Sequence, residues 1–226
     1  MKLKYLKFES SHYIFHYYKN SWAEKELEKV VSTQEESYNM IIDFFKIEVP
    51  FKINYYLLNS PKEIGIAYGD NEDSNGFARK PNHIYAVYNK DIKCVGPHED
   101  AHIISYLLNT PKSCFVREGI AMFFDKNWWK KPNIDWVLEF VEKGKYERVI
   151  DLIADDYFYT INCAISYPIA GAFTKYLIDI YGVEKYLNFY KSHEDIKEAI
   201  KMIYNKQLKE LENDFLANIN NFSKKF

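Results

Sequence analysis

Apolar and polar residues alternate in short runs through the first ninety positions, then recur every three to four residues almost to the end. "LKYLKF" (3–8) and "HYIFHYY" (12–18) are short, aromatic-rich runs separated by Glu9-Ser10-Ser11, a pattern that predicts two strands joined as a hairpin. From Trp22 to Lys46 the apolar positions Leu27, Val30, Val31, Tyr38, Ile41, Ile42 and Phe45 follow mostly helical spacing, with Glu and Lys opposite. Pro50 closes that section. "FKINYYLL" (51–58) and "HIYAVY" (83–88) predict two further strands, and the polar "GDNEDSNG" (69–76) between them is loop material.

From Pro97, a residue type tolerated in a helix's first turn, the pattern becomes almost wholly helical. Helices are expected over 97–108, 113–126, 134–143, 147–154, 160–181, 183–191, 194–204 and 206–221. No internal repeat or low-complexity linker interrupts the chain. The expected fold class is α+β: a small mixed sheet with its helices over 1–108, then a helical lobe over 109–226, with a cleft between them.

Composition narrows the function classes. The 226 residues are 47% hydrophobic and 27% charged, as in an ordinary folded protein. The formal net charge is −2, with only three arginines and scattered lysines, so there is no clustered cationic surface for nucleic acid. Twenty tyrosines accompany abundant Lys, Asn and Ile, and we read them as compositional drift rather than as a binding surface. Cys94, Cys114 and Cys163 form no C-x-x-C unit and cannot all pair, which fits free, mostly buried thiols in a reducing compartment. No stretch approaches the ~20 apolar residues of a membrane span, and "MKLKYLKFESSHY" lacks a signal-peptide core. The expected setting is cytoplasmic, with neither nucleic acid nor membrane as partner; oligomeric state is not legible.

The stretch that carries chemistry is "VGPHEDAHIISYLL" (95–108). On a helix, residues four apart lie on nearly the same face, so His98 and His102 can aim two imidazole nitrogens at one point. Glu99 sits on the flank, where a carboxylate reaches a water on a metal rather than the metal. That is the logic of H-E-x-x-H, two neutral nitrogen ligands with an adjacent general base. The pattern arises by chance in roughly one such chain per hundred, so its surroundings must decide. "SHEDIK" (192–197) is an internal control: it repeats His193-Glu194-Asp195 but has Lys197 where a second ligand is needed, and reads as a surface helix start.

The surroundings supply a third ligand. In "NTPKSCFVREGIAMFFD" (109–125), Asn109 to Ser113 can turn the chain so that the next helix packs back on the first. Glu118 is embedded there among Val116, Ile120, Ala121, Phe123 and Phe124, where a carboxylate is costly unless it is paired or ligates a metal. Gly119 beside it is expected to let those two helices approach closely.

H-E-x-x-H followed by E-G-x-A on the next helix resembles the gluzincin zinc metallopeptidases, the clan of thermolysin and the zinc aminopeptidases, in particular compact peptidase MA-like members. "HYIFHYYKNSWAEKELEKVV", "ISYPIAGAFTKYLIDIYGVEKYLNFYKS" and "NKQLKELENDFLANI" are similar to their opening strand and helix, the helix after the metal site and the closing helix. The resemblance implies a zincin-like fold and one zinc per chain on His98, His102 and Glu118. It implies Glu99 as general base and Tyr167 as hydrogen-bond donor to the oxyanion. The implied activity is hydrolysis of a peptide or protein substrate, with an edge strand, 75–80 or 83–88 and preferably Gly76–Arg79, pairing with it. One position departs. Family members often carry a carboxylate four residues after the glutamate ligand, and here that residue is Met122. Asp125 or a backbone carbonyl is the candidate replacement. The alternative implied by that departure is a degenerate zincin-like domain that binds zinc and a peptide or protein partner without turnover.

Overall fold

The opening hairpin forms as the alternation predicts. In a computed structural model describing residues 5–223, β1 (Tyr5–Glu9) pairs antiparallel with β2 (Tyr13–Tyr18). Residues 3 and 4 of the expected first strand lie outside the described residues. The chain divides into two compact units, Met1–Leu107 and Leu108–Phe226. The fold is α+β, with a mixed sheet and many helices.

In the first unit, α1 (Trp22–Lys25) and α2 (Leu27–Phe45) follow the hairpin, and β3 (Ile53–Leu58) then lies parallel to β2. Next come α3 (Pro61–Tyr68), β4 (Gly76–Arg79), β5 (His83–Val87) and α4 (Pro97–Ser105). β5 is parallel to β3 and antiparallel to β4, which gives the order β1-β2-β3-β5-β4. β4 is therefore an edge and β5 an interior strand.

One sheet face is wholly apolar and aromatic: Tyr13 and Phe15, Ile53, Tyr55 and Leu57, then Ile84 and Ala86, all fully buried. α2 and α4 pack on each other and reach this face through Tyr13, whose hydroxyl meets Gln34 O and the Asp100 carboxylate. The opposite face is capped at one end by α3, where Ile64 packs with Leu58 and Val87. Elsewhere on it, rings stack on each other across four strands: Phe77 on Tyr85 at 4.7 Å, Tyr85 on Tyr56 at 4.6 Å, Tyr56 on His16 at 4.2 Å. The inner rings of this row, Tyr85 and Tyr56, each stack on a neighbour on both sides. Much of the tyrosine excess is thus packing, with Tyr13, Tyr55, Tyr88, Tyr186 and Tyr190 fully buried.

The second unit opens with α5 (Cys114–Asp125) and a two-stranded hairpin, β6 (Asn127–Trp128) and β7 (Lys131–Pro132). Its turn residues Trp129 and Lys130 have φ of 49° and 67°, a conformation usually taken by Asn-Gly. Then follow α6 (Asn133–Glu142), α7 (Val149–Leu152), α8 (Asp155–Phe158) and α9 (Cys163–Tyr181). α10 (Val183–Lys191), α11 (Ile196–Tyr204) and α12 (Leu208–Ser223) complete it. The core of this unit is α5 against α9, and glycines set its spacing. A Cβ on Gly119 would collide with Thr174 Oγ1 and stand 3.1 Å from Ala170 O; one on Gly171 would stand 2.6 Å from Met122 Cβ. The close approach that Gly119 permits is thus to α9, whereas the sequence suggested the histidine-bearing helix.

α7 begins on a buried carboxylate from α12. Glu212 accepts from Val149 N at 2.7 Å, from the Tyr146 hydroxyl at 3.1 Å and from Arg148 at 3.3 Å. Three donors offset the cost of burying that charge. Among the described residues no helix is long and apolar enough to cross a membrane, and the three cysteines carry thiols rather than disulfides; against the expectation of mostly buried thiols, only Cys114 is buried, Cys94 being half-buried and Cys163 exposed at the start of α9.

Candidate metal centre

α4 starts where its first residues predict. Pro97 takes the first helical position, where its missing N–H is no loss, and Gly96 precedes it at φ 141°, a left-handed value suited to glycine. Gln34 on α2 fixes that start: its Oε1 accepts from Gly96 N at 2.6 Å and its Nε2 donates to Gly96 O at 3.2 Å. The same Nε2 donates to Asp100 Oδ2 at 2.6 Å, and Tyr13 Oη lies 2.9 Å from that oxygen. Asp100 is completely buried, and burial pushes its carboxyl well above the usual range. Among the described residues its other oxygen, Oδ1, has no hydrogen-bond partner. This network orients the helix that bears the motif, and composition or spacing gave no sign of it beyond a polar residue inside "HEDAH".

With α4 so held, its histidines stand one turn apart, ring centroids 5.1 Å apart and planes at 80°. His102 is buried and His98 half-buried. Behind His102, the hydroxyl of Tyr106 lies 3.4 Å from Nδ1, and the two rings stack at 5.7 Å. Glu99 is half-buried and faces β4: a Cβ built on Gly76 would stand 3.2 Å from Glu99 Oε1. A side chain at that strand position would crowd the carboxylate.

Glu118 lies in the middle of α5. That helix is capped by a distant acid, since Asp155 Oδ1 accepts from Cys114 N at 2.6 Å. One turn before Glu118, Cys114 Sγ approaches Glu118 Oε1 at 3.9 Å; burial first, then the Glu118 charge, pushes that thiol up to about 11. Cys114 is therefore a neutral thiol near neutral pH.

His98, His102 and Glu118 each offer one ligand atom, and the three atoms lie within 4.8 Å of one another. Two imidazole nitrogens and one carboxylate oxygen at that separation can hold a metal ion. Glu118 itself is half-buried, with Val116, Gly119, Ile120 and Ala121 beside it on α5 buried.

The remaining candidates are placed as follows. Tyr167, on the first half of α9, has its ring between Trp128 at 5.5 Å and Phe158 at 5.9 Å. Met122 is fully buried and packs toward Gly171 on α9, so a carboxylate there would enter apolar packing. Asp125 is the last residue of α5 and half-buried. His193 and Glu194 are exposed just ahead of α11, which Asp195 caps through Lys197 N, as expected of the control stretch. No model of a known family matches the chain, and no curated protein matches it.

Proposed function

We propose that this chain is a zinc metallopeptidase with a zincin-like fold and a gluzincin ligand set. One observation carries the reading: the ligand atoms of His98, His102 and Glu118 lie within 4.8 Å of one another, with Glu99 next to the first of them in sequence. Two imidazoles and a carboxylate suit zinc, and three protein ligands are the number that catalytic zinc sites carry. Zinc, when bound, polarises the scissile carbonyl and acidifies water.

The chain's own groups supply the rest. The Glu99 carboxylate accepts the proton of the water whose oxygen attacks the carbonyl carbon, and returns it to the nitrogen as the C–N bond breaks. Among the described residues β4 pairs only with β5, and Glu99 lies beside its first residue, Gly76. These features support main-chain pairing of an extended peptide along β4, which reads little of its sequence. β5, interior to the sheet, has no edge for that purpose. Tyr167 is our proposed donor to the oxyanion, on the family resemblance, its ring being packed against Trp128 and Phe158.

The test is incubation of zinc-loaded protein with a diverse peptide mixture, new termini being read by mass spectrometry with and without chelator. Chelator-sensitive cleavage is expected. Glu99→Ala should keep the metal and lose hydrolysis, and His102→Ala should lose both. Full activity in Glu99→Ala would end the mechanism. The burial of Met122 where gluzincins often carry an acid favours one second reading, a zinc-holding domain that binds peptide without turnover. Peptide binding with no new termini would select it.

A further inference from the structure

We propose that Tyr106 is a positioning residue for the metal ligand His102, setting which of its ring nitrogens carries the proton; this rests on the metal reading above. A neutral imidazole has one N–H and one lone pair, and only the nitrogen bearing the lone pair can ligate. The Tyr106 hydroxyl lies 3.4 Å from Nδ1. As acceptor it holds the proton on Nδ1 and leaves the Nε2 lone pair for the cation. Metal-binding histidines generally donate their second nitrogen to such a partner, most often a carboxylate, carbonyl or water. Here a phenol does that work, one helical turn beyond the ligand.

The geometry gives Tyr106 no freedom to be incidental. It is the C-cap of α4, its backbone N donating to His102 O at 3.1 Å, so its Cα is fixed relative to the ligand. Its ring stacks on the His102 ring with planes 29° apart. The Lys80 ammonium, just past β4, stands 4.8 Å from the Tyr106 ring centroid, a cation–π contact that holds the ring from a second element. The ligand, its hydrogen-bond partner and the strand proposed to receive substrate are thereby joined in a single chain of contacts.

The experiment uses Tyr106→Phe in the full chain, which keeps the ring and removes only the hydroxyl. Two readouts are taken. Zinc affinity is measured by competition with a chromophoric chelator, and the tautomer of His102 in metal-free protein by long-range 1H–15N correlation at a pH where the ring is neutral. The expected result is a fall in zinc affinity of about 10- to 100-fold, with His102 moving from the Nδ1–H to the Nε2–H form. Circular dichroism and thermal unfolding like wild type would exclude a folding defect as the cause. Wild-type zinc binding with unchanged affinity and unchanged tautomer in Tyr106→Phe would overturn the role of Tyr106 while leaving the metal site standing. Failure of the wild type to bind zinc would overturn both.

Discussion

Glu99 and Gly76 stand so close that a single methyl on the glycine would lie 3.2 Å from Oε1 and 3.0 Å from the carbonyl oxygen of Tyr85. The base candidate therefore has its room because the strand beside it lacks a side chain. Gly76→Val should leave the zinc content at one per chain and lower hydrolysis by at least about tenfold, since a small misplacement of a catalytic group can cost up to ~10²-fold. Metal analysis and peptide cleavage on the same preparation check it. Undiminished turnover would show that Glu99 does not need that space.

Gly119→Ala should destabilise the second unit by about 1–3 kcal/mol, an overpacking cost, and lower the melting temperature by several degrees. The new methyl meets Thr174 Oγ1 and the Ala170 carbonyl. Gly119→Ala with Thr174→Ala should recover part of the loss, because only the clash with the hydroxyl is then relieved. A double-mutant cycle read by urea unfolding measures the coupling.

Gln34→Leu should cost about 1–3 kcal/mol of stability, because it strands one main-chain amide and leaves Asp100 Oδ2 with Tyr13 as its remaining donor. Gly96 N loses its acceptor and Asp100 Oδ2 loses a donor. Urea unfolding of metal-free protein reports the loss. Hydrogen exchange should rise most at the first turn of α4, and a uniform rise would point to a merely general weakening.

Acid stability should depend on two carboxylates, one in each unit. Hydrogen bonds from Lys93 and then Tyr88 hold Glu26 at about 2, and Lys131 with Lys143 holds Glu139 at about 2, against an ordinary 4.5. Folded values below unfolded ones stabilise at pH above about 4.5, and that stabilisation disappears as pH falls toward 2. Both ion pairs are solvent-screened, so the urea midpoint should decline only modestly as pH falls below ~4.5. Glu26→Gln and Glu139→Gln should each lower it at neutral pH and flatten the acid decline.

The three candidate ligands were legible because the information is local. His98 and His102 share a face by covalent spacing alone, and Glu118 was marked by its apolar neighbours. Strands β2, β3 and β5 were legible for a similar reason, being short aromatic runs between breaks. What escaped depends on partners far along the chain. The helix expected over 22–46 breaks at Glu26, whose carboxylate is taken by Tyr88 and Lys93, residues more than sixty positions away. Asp100 occupies a position that the motif treats as free, and its significance comes from Tyr13 and Gln34.

The helix α3 was overlooked although its start is written locally. Ser60, the N-cap just ahead of Pro61, accepts from Glu63 N through Oγ, and the Glu63 carboxylate accepts from Asn59 N, one residue before the cap, a variant of the capping box. Its eight residues were too few to show a period. The β6–β7 hairpin had no such signal, because Trp129 and Lys130 occupy turn positions where glycine and asparagine are the usual markers. At Met122 the sequence raised a question that only packing answers: its side chain belongs to the α5–α9 contact.

Glu212 makes the last helix something other than a tail. Donors from Tyr146, Arg148 and Val149 converge on that one acid, so a shortened chain ending before α12 would leave a main-chain amide and a phenol of the preceding seventy residues stranded in the interior. Deletion series meant to find a minimal folded fragment must therefore stop beyond this residue, and a truncation short of it would report misfolding rather than the loss of any one side chain's role.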